Sequence, residues 1–144
     1  MTERPILLVE DNPDDALLTV RAFKKNRISN EMVVATDGEQ ALRTLLPPEG
    51  EGLRPALVLL DIKLPKIDGL EVLRTIREDE RTENLPVVVL TTSNEERDIF
   101  TSYKLGANSF VRKPVVFEEF VSAVNALGIY WLIVNEPAPS GPVG

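Results

Sequence analysis

The fold is decided by residues 57–69, which read Leu57-Val58-Leu59-Leu60-Asp61-Ile62-Lys63-Leu64-Pro65-Lys66-Ile67-Asp68-Gly69. The first four residues are apolar, too few for a helix, and they follow a proline, which predicts a strand buried on both faces. The run stops at an acid, Asp61, and the pair Asp68-Gly69 predicts a turn soon afterwards. A carboxylate at the carboxyl end of a central parallel strand lies where open α/β sheets bind ligands. Asp61 alone is equally compatible with a solvated loop, so its meaning depends on the rest of the chain.

The composition describes an acidic chain of one domain. Its 144 residues are 43% hydrophobic and 27% charged, which is ordinary for a globular protein, and residues 1–134 are predicted to form that single domain. The net charge of −7 disfavours nucleic acid and anionic membranes as partners. No apolar run is long enough to span a bilayer, and the N-terminus has no signal-peptide core, so a cytoplasmic location is expected.

The chain contains neither cysteine nor histidine. This excludes disulfides, thiol and imidazole nucleophile pairs, and the usual zinc ligands. Any metal must therefore be a hard cation held by oxygen atoms. If the protein takes part in chemistry that involves a phosphohistidine, that residue must belong to another protein.

Short apolar runs predict five strands, at residues 6–9, 32–35, 57–60, 86–90 and 109–112. Amphipathic stretches between and after them predict five helices, of which the first is capped by Asn12 and runs from Pro13 to about Lys25 with Leu17 on its apolar face. The second begins at a capping-box-like Asp37-Gly38-Glu39-Gln40, and the fourth closes at Gly106. Alternating strands and helices predict an α/β fold with a parallel sheet. Residues 135–144 are rich in proline and glycine, which predicts a flexible tail.

Polar side chains follow four of the predicted strands. Glu10 and Asp11 follow the first, Asp61 the third, Thr91 the fourth and Lys113 the fifth. Because the carboxyl ends of parallel strands share one edge of the sheet, we expect these groups to converge. Carboxylates roughly 5 Å apart repel by about 3 kcal/mol per pair at an effective dielectric of ~20, which favours a bound Mg²⁺. The alternative is that each group merely caps its own strand.

The chain resembles the receiver domain of bacterial two-component response regulators in the segments Val9-Glu10-Asp11-Asn12, Leu59-Leu60-Asp61, Leu64-Pro65, Asp68-Gly69, Leu90-Thr91 and Lys113-Pro114. The resemblance extends over about residues 6–127. It implies a five-stranded parallel sheet in a doubly wound, flavodoxin-like (βα)5 receiver fold, with the strand order 2-1-3-4-5.

The resemblance also implies a role for individual residues. Asp61 is the expected acceptor of a phosphoryl group from the phosphohistidine of a sensor histidine kinase. Glu10, Asp11, Asp61 and the backbone carbonyl of Lys63 are the expected ligands of Mg²⁺, for which Mn²⁺ or Ca²⁺ can substitute. Three further expectations concern the remaining motif residues: Thr91 and Lys113 contact the phosphoryl oxygens, Thr91 and Phe110 form a switch, and Lys113-Pro114 is a candidate cis peptide.

Residues 127–134 are apolar nearly all round, which favours association. We expect a homodimer through the last helix and a C-terminal arm, with interface candidates Phe120, Leu127, Tyr130, Trp131 and Ile133. The alternative is that Trp131 packs on its own domain. The Tyr130-Trp131 pair, followed by a proline-containing tail, is similar to stand-alone receivers paired with bacteriophytochrome kinases.

The expected protein is therefore a phosphoacceptor that signals through protein contacts or onward phosphotransfer and is not an enzyme in its own right. Two other classes stay open. A phosphoaspartate phosphohydrolase usually has a second acid two residues after its nucleophile, where this chain has Lys63. A flavin- or nucleotide-binding module needs a phosphate-binding loop after the first strand, where this chain has two acids.

Overall fold

A five-stranded parallel sheet forms the centre of the protein. The computed structural model describes residues 4–25, 28, 30–62, 64–91, 101, 104–107, 109–112 and 118. The strands are β1 (Ile6–Val9), β2 (Met32–Ala35), β3 (Leu57–Asp61), β4 (Val87–Thr91) and β5 (Ser109–Arg112). They pair in the order β2-β1-β3-β4-β5, and every neighbouring pair is parallel. The expected strand order is thus confirmed.

Three helices are described in full: α1 (Pro13–Lys25), α2 (Gly38–Leu45) and α3 (Gly69–Glu78). The predicted caps of the first two are present. Asn12 Oδ1 accepts hydrogen bonds from the backbone N–H groups of Asp14 and Asp15, at 2.9 and 3.0 Å. Asp37 Oδ1 accepts from Gln40 N at 2.7 Å. These side chains satisfy backbone donors that a helix leaves unpaired at its start.

The side chains of β3 alternate between two separate cores. Leu57 and Leu59 pack in the cluster that includes Phe23 of α1. Val58 and Leu60 pack in the cluster with apolar side chains of α2 and α3. These four apolar residues of β3 are completely buried. The prediction of a strand buried on both faces is therefore correct, because helices cover the sheet on both sides.

Some details differ from the sequence-based expectations. Leu17 is 48% exposed, because the buried face of α1 consists of Ala16, Thr19 and Phe23. β4 begins one residue later than predicted and includes Thr91. The pair Asp68-Gly69 is not a separate turn, because Asp68 is the N-cap of α3 and Gly69 is its first residue.

The described residues include only 101 and 104–106 of the predicted fourth helix and 118 of the predicted fifth. Gly106 has a φ of +103°, which suits a helix-terminating glycine, and Leu105 N donates to Thr101 O at 2.9 Å. The predicted tail and its boundary at residue 134 lie outside the described residues and stay predictions. Among the described helices, none is both long and apolar enough to cross a membrane.

Candidate functional site

The register of the sheet brings the ends of three strands together. Val9 in β1 is paired with Leu60 in β3, so the residues that follow them, Glu10 and Asp61, emerge at the same edge. On the other side of β3, Asp61 is paired with Leu90, and Thr91 comes next in the chain. The backbone therefore places Glu10, Asp61 and Thr91 at one end of adjacent strands.

Glu10, Asp11 and Asp61 form an acidic cluster at this edge. Each contributes a carboxylate oxygen, and these oxygens lie within 4.8 Å of one another. Glu10 and Asp61 are buried, with 1% and 5% of their surface exposed, whereas Asp11 is exposed. Glu10 Oε2 also accepts a hydrogen bond from the Asn12 backbone N–H at 3.2 Å, which fixes its direction.

The donor set of this acidic cluster fits a divalent oxygen-binding cation. At the observed separation of at most 4.8 Å, two ionised carboxylates repel by about 3 kcal/mol at an effective dielectric of ~20. A divalent cation replaces that repulsion with attraction. Hard cations such as Mg²⁺, Mn²⁺ and Ca²⁺ prefer carboxylate oxygens, and one exposed ligand leaves room for water or an anion.

An apolar groove of about 350 Å³ opens directly beside the acidic cluster. Glu10 and Asp11 form one end, and the walls come from α1 and β2: Pro13, Ala16, Leu17, Val20, Val34 and Thr36. Leu17, Leu18 and Val34 are the exposed large hydrophobic residues of the part of the chain that the structure describes. The acids are thus flanked by the kind of surface that contacts other proteins.

The other predicted site residues divide into two groups. Thr91 and Phe110 are placed by their backbones, at the end of β4 and in β5 opposite Val89. The remainder lie outside the described residues: Lys63, Lys113, Pro114, Phe120, Leu127, Tyr130, Trp131 and Ile133.

Two structural features near the site were not predicted from the sequence. Lys66, in the loop after β3, has a positive φ of 67°. Gly38, the first residue of α2, packs against that loop so closely that a side chain would collide with Ile67. Gly38 itself was a signal, because glycine allows another backbone to approach closely, but the segment that approaches it could not be read from the sequence.

Comparisons with known proteins agree with this geometry. The family model described as "Response regulator receiver domain" matches residues 6–125. The structure of the bacteriophytochrome response regulator AtBRR is similar with a TM-score of 0.80 and 50% identity, covering 94% of this chain and 100% of that one. The probable methanogenesis regulatory protein FilR2 of Methanothrix harundinacea is 43% identical over 94% of this chain and 88% of that protein.

A third relative adds a metal. The Mn²⁺-bound form of the response regulator Rcp1, a protein of Synechocystis sp., has a TM-score of 0.73 and 38% identity, covering 94% of this chain and 99% of that one. The family model spans most of the chain, and two of these relatives are matched over nearly their whole length. The chain belongs to the response regulator receiver domain family.

Proposed function

We propose that this protein is a single-domain response regulator that accepts a phosphoryl group on Asp61 from the phosphohistidine of a sensor histidine kinase. The observation that carries the proposal is the acidic cluster, in which Asp61 lies with Glu10 and Asp11 at the carboxyl end of a central strand. Membership of the receiver family supports the same assignment.

The reaction would use chemistry that a chain without histidine can supply. A carboxylate oxygen of Asp61 attacks the phosphorus atom, and the bond between phosphorus and the imidazole nitrogen of the kinase breaks. The electron pair stays on that nitrogen, which takes up a proton, and Asp61 carries an acyl phosphate. Because the attacking group is a carboxylate and not a hydroxyl, it carries no proton that a general base would have to remove.

Mg²⁺ is the proposed ion of the acidic cluster. Glu10, Asp11, Asp61 and the backbone carbonyl of Lys63 would hold it, and when bound it would stabilise negative charge on the transferred phosphoryl oxygens. Thr91 and Lys113 are proposed to contact the same oxygens, and Phe110 to respond when Thr91 moves. The donor set and the Mn²⁺-bound form of Rcp1 support a divalent ion.

The proposed partner is a sensor histidine kinase in the cytoplasm, with a bacteriophytochrome as the specific candidate. Similarity to AtBRR supports the phytochrome pairing. The apolar groove supports a protein donor, because an occupant would lie beside Asp11 and Glu10. FilR2 is named as a probable methanogenesis regulatory protein and not as a phytochrome response regulator. The identity of the kinase is therefore tested separately from phosphoryl acceptance.

A homodimer through the last helix and the C-terminal arm completes the proposal. It rests on the apolar sequence of residues 127–134. Sedimentation of the wild type and of Trp131→Ala tests it, with and without phosphorylation. A dimer that becomes a folded monomer in the variant supports the interface, and a monomeric wild type contradicts it.

The main test is phosphotransfer from a purified, labelled histidine kinase in the presence of Mg²⁺. We expect the wild type to take up label and Asp61→Asn to take up none. Asp68→Asn is the control, because Asp68 is an exposed acid in the same loop and outside the acidic cluster. Equal labelling of Asp61→Asn and the wild type would contradict the proposal. Turnover of phosphate monoesters would indicate a phosphohydrolase instead, and a tightly bound flavin or nucleotide would indicate a binding module.

A further inference from the structure

The loop that follows Asp61 contains a strained turn. Lys66 has a φ of +67° and is the non-glycine residue with positive φ in the described part of the chain. Ile67 N donates a hydrogen bond to Pro65 O at 2.8 Å, which closes a three-residue γ-turn centred on Lys66. This left-handed form of the γ-turn is rare and costs free energy, so contacts from elsewhere must hold it.

The N-terminus of α2 supplies the closest of these contacts. A Cβ atom added at Gly38 would overlap the carbonyl oxygen of Ile67 and lie 2.8 Å from Ile67 Cβ, whereas ordinary contact begins at 3.4 Å. The backbones of α2 and the loop can therefore approach this closely only because residue 38 has no side chain.

Charged groups add a second, weaker contact at the same place. Lys66 Nζ lies 3.6 Å from Asp37 Oδ2 and 3.6 Å from Glu39 Oε1. The Lys66 side chain is 61% exposed, so solvent screens these ion pairs, and they contribute less than the packing does. Asp37 is also the cap of α2, which ties the loop to the start of that helix.

The C-terminal end of the loop, at Gly69, is also held in place, so it leaves no room for a displacement of the loop. Gly69 N donates to Ile62 O at 3.1 Å, and a Cβ at Gly69 would overlap the carbonyl oxygen of Asp61. The loop, residues 62–68, therefore returns to its own starting point at the end of β3. A shift of Ile67 away from α2 would be passed to the backbone around Asp61.

We propose that the N-terminus of α2, through Gly38 and the left-handed turn at Lys66, positions Asp61 and thereby sets the affinity of the acidic cluster for divalent ions. This inference rests on the proposed function, since it concerns the same cluster. Gly38 and Lys66 act here as positioning residues, because neither belongs to the acidic cluster itself.

The test compares two glycine substitutions at the two ends of α2. Gly38→Ala pushes Ile67 away, and Gly52→Ala is the matched control, because a Cβ there would overlap the carbonyl oxygen of Leu45 and lie 2.9 Å from Pro47 Cδ. Both variants should lose stability. We expect Mn²⁺ to bind roughly 10-fold more weakly to Gly38→Ala, as is typical when the support of a metal ligand is disturbed, and within twofold of wild type to Gly52→Ala.

A measurement on the metal-free protein tests whether Asp61 itself has moved, independently of the affinity for Mn²⁺. The backbone amide resonances of Asp61 and Ile62 should shift in Gly38→Ala and stay in place in Gly52→Ala. Equal Mn²⁺ affinities of the two variants, with unshifted Asp61 and Ile62 amides, would overturn the inference while leaving the proposed function intact. A wild type that binds no Mn²⁺ and takes no phosphoryl group would overturn the proposed function itself.

Lys66→Gly keeps the inference testable if Gly38→Ala does not fold. Glycine relieves the cost of the positive φ, so the variant should unfold at the same temperature as the wild type or higher. It also gives the loop more conformations to lose on metal binding, and we expect about threefold weaker Mn²⁺ binding. Unchanged Mn²⁺ affinity in Lys66→Gly would count against the inference.

Discussion

Two connections adjoin the acidic cluster, and they are built in different ways: the first contains Glu10 and Asp11, and the second begins directly after Asp61. The connection from β1 to α1 has three residues, ending at Asn12, whose side chain caps the helix at 2.9 and 3.0 Å. The connection from β3 to α3, residues 62–68, contains a left-handed lysine and packs against the start of α2. The first contains its own helix cap, whereas the second depends on packing against a distant part of the chain.

This difference indicates where the geometry of the cluster can be adjusted. Glu10 and Asp11 are carried by a short, locally capped segment that leaves little freedom. Asp61 precedes a loop whose shape depends on contacts with α2. Changes in the second connection should therefore affect Asp61 most, and changes in the first should act mainly on the stability of α1.

The substitution with the largest expected effect on stability lies at the end of the second connection. In Gly69→Ala the new Cβ would overlap the Asp61 carbonyl oxygen and the Ile62 backbone, neither of which is the end of a flexible side chain. We expect a loss of about 3 kcal/mol in the free energy of unfolding, measured by urea denaturation. A loss below about 1 kcal/mol would show that the loop is less tightly closed than the structure indicates.

A divalent ion should link the two connections, since it would contact the acids of the first, Glu10 and Asp11, and the acid that directly precedes the second, Asp61. At a Mg²⁺ concentration 100 times the dissociation constant, binding stabilises a folded protein by about 2.7 kcal/mol. We expect a rise of this size in the unfolding free energy of the wild type and almost none in Asp61→Asn. Glu71→Gln, which alters an exposed acid of α3 outside the cluster, is the control and should behave like the wild type. An equal rise in Asp61→Asn would show that Mg²⁺ binds elsewhere.

A substitution in the first connection should have a smaller effect on stability. Asn12→Ala leaves the N–H groups of Asp14 and Asp15 without their side-chain acceptor and should cost about 1 kcal/mol of stability. Asn84→Ala, at an exposed asparagine outside the helices, should change stability by less than about 0.5 kcal/mol. Thermal unfolding of both variants measures the difference, and equal stability would mean that α1 does not depend on its cap.

The smallest expected effect on stability comes from an ion pair that follows the C-terminus of α3, away from both connections. The Arg81 side chain donates hydrogen bonds to Asp79, and with the Arg81 backbone N–H it lowers the pKa of Asp79 to about 2. Because the folded-state pKa is depressed, this contribution to stability is present above the ordinary value of 3.8 and is lost as the pH falls towards 2. The stability difference between the wild type and Asp79→Asn, followed by urea denaturation, should therefore disappear between pH 4 and pH 2. A difference that persists at pH 2 would show that the Asp79 carboxylate is not its source.

The sequence predicts most of what is local or periodic. The apolar runs give the strands, the turn chemistry of Asn12 and Asp37 gives two helix starts, and acids at strand ends give the acidic cluster. The strand order came from the resemblance to a family rather than from periodicity. The parallel sheet alone predicts that the strand-end residues share one edge, and the order adds that Glu10 and Asp61 are neighbours there, since it places Val9 beside Leu60.

The sequence does not predict features that two distant segments create together. Lys66 has no intrinsic preference for a positive φ, and Gly38 reads as part of a helix start until Ile67 is seen against it. Leu17 fits the apolar spacing of α1, yet it is exposed at the groove formed with the edge strand β2. Tertiary contacts decide these positions.

The most direct test of the account is to locate the phosphoryl group chemically. The protein is phosphorylated by its kinase with Mg²⁺ and then reduced with borohydride, which converts the acyl phosphate of an aspartate to homoserine, and the peptides are read by mass spectrometry. We expect homoserine at residue 61 and at no other acid. Homoserine at Asp11 or another acid, or phosphate on a hydroxyl such as that of Thr91, would contradict it.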